Sequence, residues 1–94
     1  MNLSIIIPLL NEAESLPELH QWILDELTPT SLSFEILFID DGSTDASWEE
    51  IEKLHESHSN TYGIRFSKNF GKSQALHAGF REAIGEVIIT LDAD

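Results

Sequence analysis

Asp92 and Asp94 are separated by one residue, so an extended backbone presents both carboxylates to the same side. Such a pair suits a hard divalent cation with oxygen ligands, Mg²⁺ or Mn²⁺, and a cation joined to substrate phosphates would offset the repulsion between clustered carboxylates. An Asp-x-Asp arises by chance in many acidic chains, but this one directly follows an apolar run that reads as a strand. Asp40-Asp41 follows another such run. One of its carboxylates can fix a turn and cap the next helix while the other accepts hydrogen bonds from the sugar or base of a ligand. Asp45 stands where a helix N-terminus favours negative charge and reads as structural. Glu12 lies just past a proline-terminated strand, where it reads either as a ligand-binding group or as a first-turn glutamate of the helix that follows.

Other chemistries fit less well. Gly71-Lys72-Ser73 lies between a strand and a helix, as phosphate-cradling loops do, but the P-loop pattern needs a glycine where this chain has Phe66. Lys68 and Lys72 could face a diphosphate, though solvent exposure is the simpler account. His20, His55, His58 and His77 form no ligand pattern, and His55 and His58 fall near a helix C-terminus that favours imidazole. No serine occupies a Gly-x-Ser-x-Gly elbow, and without cysteine there is neither a thiolate nucleophile nor a zinc-thiolate site.

Short apolar runs alternate with helical patterns, the mark of βαβ units and a mainly parallel α/β sheet with flanking helices. Strands are expected over 3–8, 34–39, 62–66 and 87–91. In the first helix Leu16, Leu19, Ile23, Leu24 and Leu27 recur at helical spacing, with Asn11 as N-cap and Glu14 as its capping-box partner. A second helix carries Trp48, Ile51 and Leu54, and a third over 73–83 turns Leu76, Phe80 and Ala83 inward. In open α/β sheets ligands bind beyond the carboxyl ends of the strands, and every unusual feature of this sequence lies at such an end.

The 94 residues form at most one compact unit. A formal net charge of −12 argues against nucleic acid, which demands clustered Lys and Arg. Acidity is concentrated early, since Lys53 is the sole base before Arg65. No apolar stretch approaches the length needed to cross a bilayer, and the N-terminus lacks the layout of a signal peptide. The fourth strand is followed by nothing that would cover its far side, which suggests a truncated chain.

Taken in order, residues 4–12 (SIIIPLLNE), 39–45 (IDDGSTD), 69–72 (NFGK) and 92–94 (DAD) resemble the N-terminal half of a family 2 glycosyltransferase with the GT-A fold. The likeness spans the whole chain. With Ala75-Leu76 and Ala78-Gly79 following, it looks most like the branch that transfers sugars to polyprenyl phosphates. The resemblance implies a Rossmann-like nucleotide-binding half over residues 1–94, with Pro8, Leu10 and Glu12 lining the base pocket and Ile39 and Asp41 holding base and ribose. Asp92, Ala93 and Asp94 would hold the diphosphate, with Asp92 and Asp94 on a Mg²⁺ or Mn²⁺ ion. Leu10 stands where many members carry an aromatic residue, which leaves the choice between GDP- and UDP-sugars open. The implied reaction is inverting transfer to an acceptor, a lipid phosphate in this branch, at the cytoplasmic face of a membrane. Acceptor-binding residues, any general base and any membrane helices would follow residue 94, so no catalytic residue is assigned and these residues alone would be inactive.

Three other readings compete. A family 2 enzyme could act on a polysaccharide or other glycan, and the segment could bind nucleotide sugars without catalysis. A receiver-type signalling domain also gathers acids around Mg²⁺, but its acidic pair should follow the first strand, whereas here a strand and a helix precede Asp40-Asp41.

Overall fold

The computed structural model describes residues 1–93, so the expected role of Asp94 lies outside the described residues. Strand β1 (Leu3–Leu9) leads through helix α1 (Leu16–Leu27) to β2 (Phe34–Asp40), then through α2 (Ser47–Ser57) to β3 (Thr61–Arg65), and through α3 (Lys72–Glu82) to β4 (Val87–Thr90). The strands form one sheet in the order β3-β2-β1-β4, with every neighbouring pair parallel. The α/β class and parallel sheet expected from the sequence are therefore present.

Side chains alternate across β1, and so two cores form. Leu3, Ile5, Ile7 and Leu9 pack with Ile36 and Phe38 against Leu16 and Ile23 of α1 and Ile51 of α2. On the opposite face Ile6, Leu37 and Ile39 pack against Ala75 of α3. The chain therefore winds outward from β1 to β3 beneath α1 and α2, and α3 carries it back across the other face to β4.

Several boundaries differ from expectation for identifiable reasons. β1 runs through Pro8 to Leu9 instead of ending at the proline. Alternate residues of β1 serve its two neighbours: the Leu9 carbonyl accepts from Asp41 N–H, and the Ile6 carbonyl accepts from Leu91 N–H. The N–H that Pro8 lacks thus belongs to the β4 side, where pairing has already ended at Ile6↔Thr90. α1 begins at Leu16 after Ser15, with Pro17 in its first turn, and Asn11 is not its cap. On α3 the buried face is Ala75, Ala78 and Gly79, while Phe80 is 47% exposed instead of inward. Small residues are required because a Cβ at Gly79 would lie 2.5 Å from Ile6 Cγ2. Among the described residues β4 pairs with β1 alone, and Val87, Ile88 and Ile89 are exposed. Among the described residues no helix is long and apolar enough to cross a membrane.

Two buried polar clusters tie elements together. Ser4 Oγ donates to Glu35 Oε2 (2.6 Å), which also accepts Ile84 N–H (2.9 Å), while Gly85 N–H donates to Ser4 Oγ (2.8 Å). This anchors the α3–β4 turn below the sheet. On the other face His20 Nε2 lies 2.8 Å from Thr61 Oγ1, with the His58 ring centroid 4.6 Å from that of His20 and the Phe38 ring beside it. His55 Nδ1–H donates to the Thr61 carbonyl (2.6 Å), and His58 Nδ1 meets the Leu54 carbonyl (3.2 Å) at the end of α2.

Burial, and then the neighbouring His58, pushes the His20 imidazole down from 6.5 to about 4. The folded state therefore favours neutral His20. Its contribution is fully present above pH 6.5 and is lost as pH falls toward 4, because the unfolded chain takes up the proton first. Urea unfolding of wild type and His20→Gln between pH 7.5 and 4.5 should differ in slope. Below pH 6.5 the wild type loses up to about 1.4 kcal/mol more per pH unit, with no difference in slope above it, and parallel curves throughout would remove His20 as the cause.

Candidate functional site

All four strands deliver their carboxyl ends to one edge of the sheet. Because β2 and β4 flank β1 from opposite winding directions, their following loops diverge there and leave a crevice, the usual ligand position in open α/β sheets. A cavity of about 330 Å³ occupies it. Pro8, Leu9, Leu10 and Glu12 line it from the β1–α1 loop, Asp41 from the end of β2, Asn69, Gly71 and Lys72 from the β3–α3 loop, and Asp92 and Ala93 from beyond β4. Of the residues singled out in the sequence, Pro8, Leu10, Glu12, Asp41, Asp92 and Ala93 are brought together. Ile39 is not: its side chain is fully buried with Ile6, Leu37 and Ala75 on the α3 face, one position before the acidic pair.

The loops are fastened to one another by side chain to backbone hydrogen bonds. Asn11 adopts a left-handed conformation (φ 55°), and its Oδ1 accepts the N–H groups of Thr44 (2.8 Å) and Asp45 (3.1 Å). In return Ser43 Oγ accepts Asn11 N–H (2.8 Å), Ser47 Oγ accepts Glu12 N–H (3.0 Å) and Asp45 Oδ2 accepts Ala13 N–H (3.2 Å). Asp45 Oδ1 also accepts the Ser47 hydroxyl (2.6 Å) and N–H (2.9 Å). The Ser47 hydroxyl first, assisted by the backbone N–H groups of Ser47 and Ala13, holds the Asp45 carboxyl below its usual value. Asp45 is thus structural, as its sequence position suggested.

Asp40 and Asp41 divide their work. Asp40 is buried; Oδ1 accepts Ser43 N–H (2.8 Å) and fixes the turn, while Oδ2 has no hydrogen-bond partner among the described residues. Asp41 Oδ1 accepts Phe70 N–H (2.8 Å) and Oδ2 accepts Gly71 N–H (3.1 Å), which ties the β3–α3 loop to the end of β2. A carboxylate has more lone pairs than these two bonds use, so Asp41 can still accept from a ligand. Gly42 (φ 80°) permits the approach, since a Cβ there would lie 2.3 Å from the Lys68 backbone.

At the mouth, Lys72 Nζ donates to Asp92 Oδ1 at 2.7 Å, both side chains being exposed. Ala93 turns into the core beneath α1. Glu12 precedes α1 and accepts the Ser15 hydroxyl (3.2 Å), leaving its carboxylate on the cavity wall. Among the described residues no three Asp, Glu, His or Cys groups gather to hold a metal by themselves. The donors at the mouth are carboxylate oxygens, and Asp92 is already matched to a cation there. That chemistry fits a hard dication completing its shell with phosphate oxygens. His20, His55 and His58 stay structural, on the α1–α2–β3 side.

The model for glycosyl transferase family 2 matches residues 4–94. Curated relatives include undecaprenyl-phosphate 4-deoxy-4-formamido-L-arabinose transferases from Salmonella choleraesuis (45% identical, 97% of this chain, 28% of theirs) and Pectobacterium carotovorum (39% identical, 99% of this chain, 29% of theirs). The chain thus spans less than a third of these relatives. Among solved structures, the mannosyltransferase PcManGT from Pyrobaculum calidifontis in complex with GDP-Man and Mn²⁺ superposes with a TM-score of 0.81 at 26% identity, covering 99% of this chain and 27% of that one. S. aureus TarS 1-349 in complex with UDP-GlcNAc gives the same score and identity over 100% of this chain and 27% of its own.

The reciprocal loop caps yield a stability test. Asn11→Ala removes two hydrogen bonds accepted from backbone N–H groups and strains a left-handed residue, and should cost about 1–3 kcal/mol in urea unfolding. Asn11→Gly, which relieves the strain, should cost less; equal losses would mean that the conformation of residue 11 is immaterial.

Proposed function

This chain belongs to glycosyltransferase family 2, and from that premise we propose that residues 1–94 form the donor-binding part of an enzyme that moves a sugar from a nucleoside diphosphate to a polyprenyl phosphate. The observation that carries the reading is the crevice at the sheet reversal, where Pro8, Leu10, Glu12, Asp41, Asp92 and Ala93 line one cavity. The lipid-phosphate acceptor is supported by the named activity of relatives 39–45% identical to this chain.

Pro8 and Leu10 offer an apolar wall to the base, and Glu12 and Asp41 supply acceptors for base and ribose donors. Because Leu10 is aliphatic, the base is held by edge hydrogen bonds and van der Waals contact rather than by stacking on a residue at this position. Asp92 and Asp94 would hold Mg²⁺ or Mn²⁺ against the diphosphate. When bound, the dication neutralises the charge that builds on the leaving diphosphate. The protein contributes orientation: the loop caps set the cavity walls before donor arrives, which lowers the ordering cost of binding. A phosphate acceptor is already anionic and attacks the anomeric carbon with inversion, so strong general-base help is unnecessary. In the full-length enzyme the reaction would take place at the cytoplasmic face of a membrane, with acceptor and membrane contacts supplied by segments beyond these residues.

Calorimetric titration of the purified protein with UDP and GDP, with and without Mn²⁺, tests the donor site. We expect one nucleotide to bind in a Mn²⁺-dependent manner, and Asp92→Asn or Asp94→Asn to weaken it by about tenfold or more, as loss of a charged ligand should. Equal affinity with and without Mn²⁺ would count against the role assigned to the aspartates.

A further inference from the structure

Lys72 is the sole lysine or arginine among the described residues lining the cavity, which it shares with three carboxylates, those of Glu12, Asp41 and Asp92. An anionic diphosphate cannot enter such a cavity favourably unless positive charge accompanies it. The backbone at Lys72 is held in place: it opens α3 directly after Gly71 (φ 101°), whose N–H is gripped by Asp41 Oδ2 at 3.1 Å. Its side chain is 63% exposed and reaches Asp92 Oδ1 at 2.7 Å, on an aspartate itself 64% exposed. An ion pair in such surroundings is weak and readily exchanged.

We infer that Lys72 is an exchangeable counter-ion: it neutralises Asp92 while no divalent cation is bound, and yields that carboxylate to the cation when the nucleoside diphosphate arrives. This positioning role rests on the donor-site reading above. A dication on Asp92 repels the ammonium, whose flexible tether lets it turn from the carboxylate toward the incoming phosphates. The anchored α3 start limits that movement to the mouth of the cavity. Lys72 thereby serves two partners in turn, and Asp92, one of the three carboxylates on the cavity wall, keeps a counter-charge in both states.

The exchange makes opposite predictions for metal and nucleotide. Mn²⁺ binding without nucleotide, followed by electron paramagnetic resonance, should be about two- to fivefold tighter in Lys72→Met than in wild type, the scale of an exposed ion pair. UDP or GDP binding in EDTA should instead be weaker in Lys72→Met. Lys72→Arg, which keeps the charge, should track wild type in both assays, and circular dichroism confirms that each variant is folded. Unchanged or weaker Mn²⁺ binding by Lys72→Met overturns the exchange, as does failure of both proteins to bind Mn²⁺, since removing the ammonium would have uncovered no cation site. A wild type that binds neither UDP nor GDP under any metal condition rejects the donor site itself, a result separable from the first.

Discussion

Everything in this fold hangs on β1, a strand whose seven residues are all buried and which is paired in parallel on both edges. A parallel central strand must be covered on both faces, because the helices that return the chain have nowhere else to pack. Covering both faces requires helices on opposite sides, and the switch of side is what reverses the winding direction at β1. The crevice is therefore a by-product of burying β1, and the loops that line it inherit their positions from strand register. The polar residues admitted into this layer, Ser4 and Glu35, stand opposite each other in register and bond each other and the turn above β4.

Much of this was legible in the residue order. β-branched runs bounded by turn residues identified the strands to within a residue or two, and the acidic positions that follow them fall on the cavity. What the sequence could not show was partnership across the fold. Asn11 resembles a cap for the helix after it, yet a left-handed residue eleven cannot cap a helix starting at Leu16, and its carbonyl serves the loop after β2 instead. Periodicity placed Phe80 inside α3, whereas the closeness of that helix to Ile6 admits only small residues. His20 interrupts an apolar stripe in sequence, and its burial makes sense only with Thr61 and His58 in place. Ile39 was included on the family resemblance, but its place inside β2 sends its side chain into the core against α3, whereas Asp41 lies past the strand end and reaches the cavity.

The site is built by polar bonds between loops more than by packing. Asn11, Ser43, Asp45 and Ser47 join the first two loops, and Asp41 joins the second to the third. Side chain to backbone bonds of this kind hold loop backbone against solvent without apolar cover, and so leave the cavity walls polar and open. A recognisable signal did exist, namely the Ser-Thr-Asp-x-Ser run after β2, rich in residues that bond nearby backbone. Its partner loop was not deducible, because nothing local specifies which backbone a serine hydroxyl will meet.

Pro8 is easily dismissed as a tolerated irregularity at the end of a ladder. Its missing N–H also acts as a register lock. Were β4 to slide two residues toward the carboxyl end of β1, keeping its faces, Pro8 would be asked to donate the next ladder bond and could not. A slide of one residue would instead exchange the two faces of β4. Of the misalignments that would carry Asp92 outward past the cavity while keeping the faces of β4, the nearest is thus disfavoured by an imino acid on the neighbouring strand, so an acidic residue owes part of its position to a hydrogen atom that is not there.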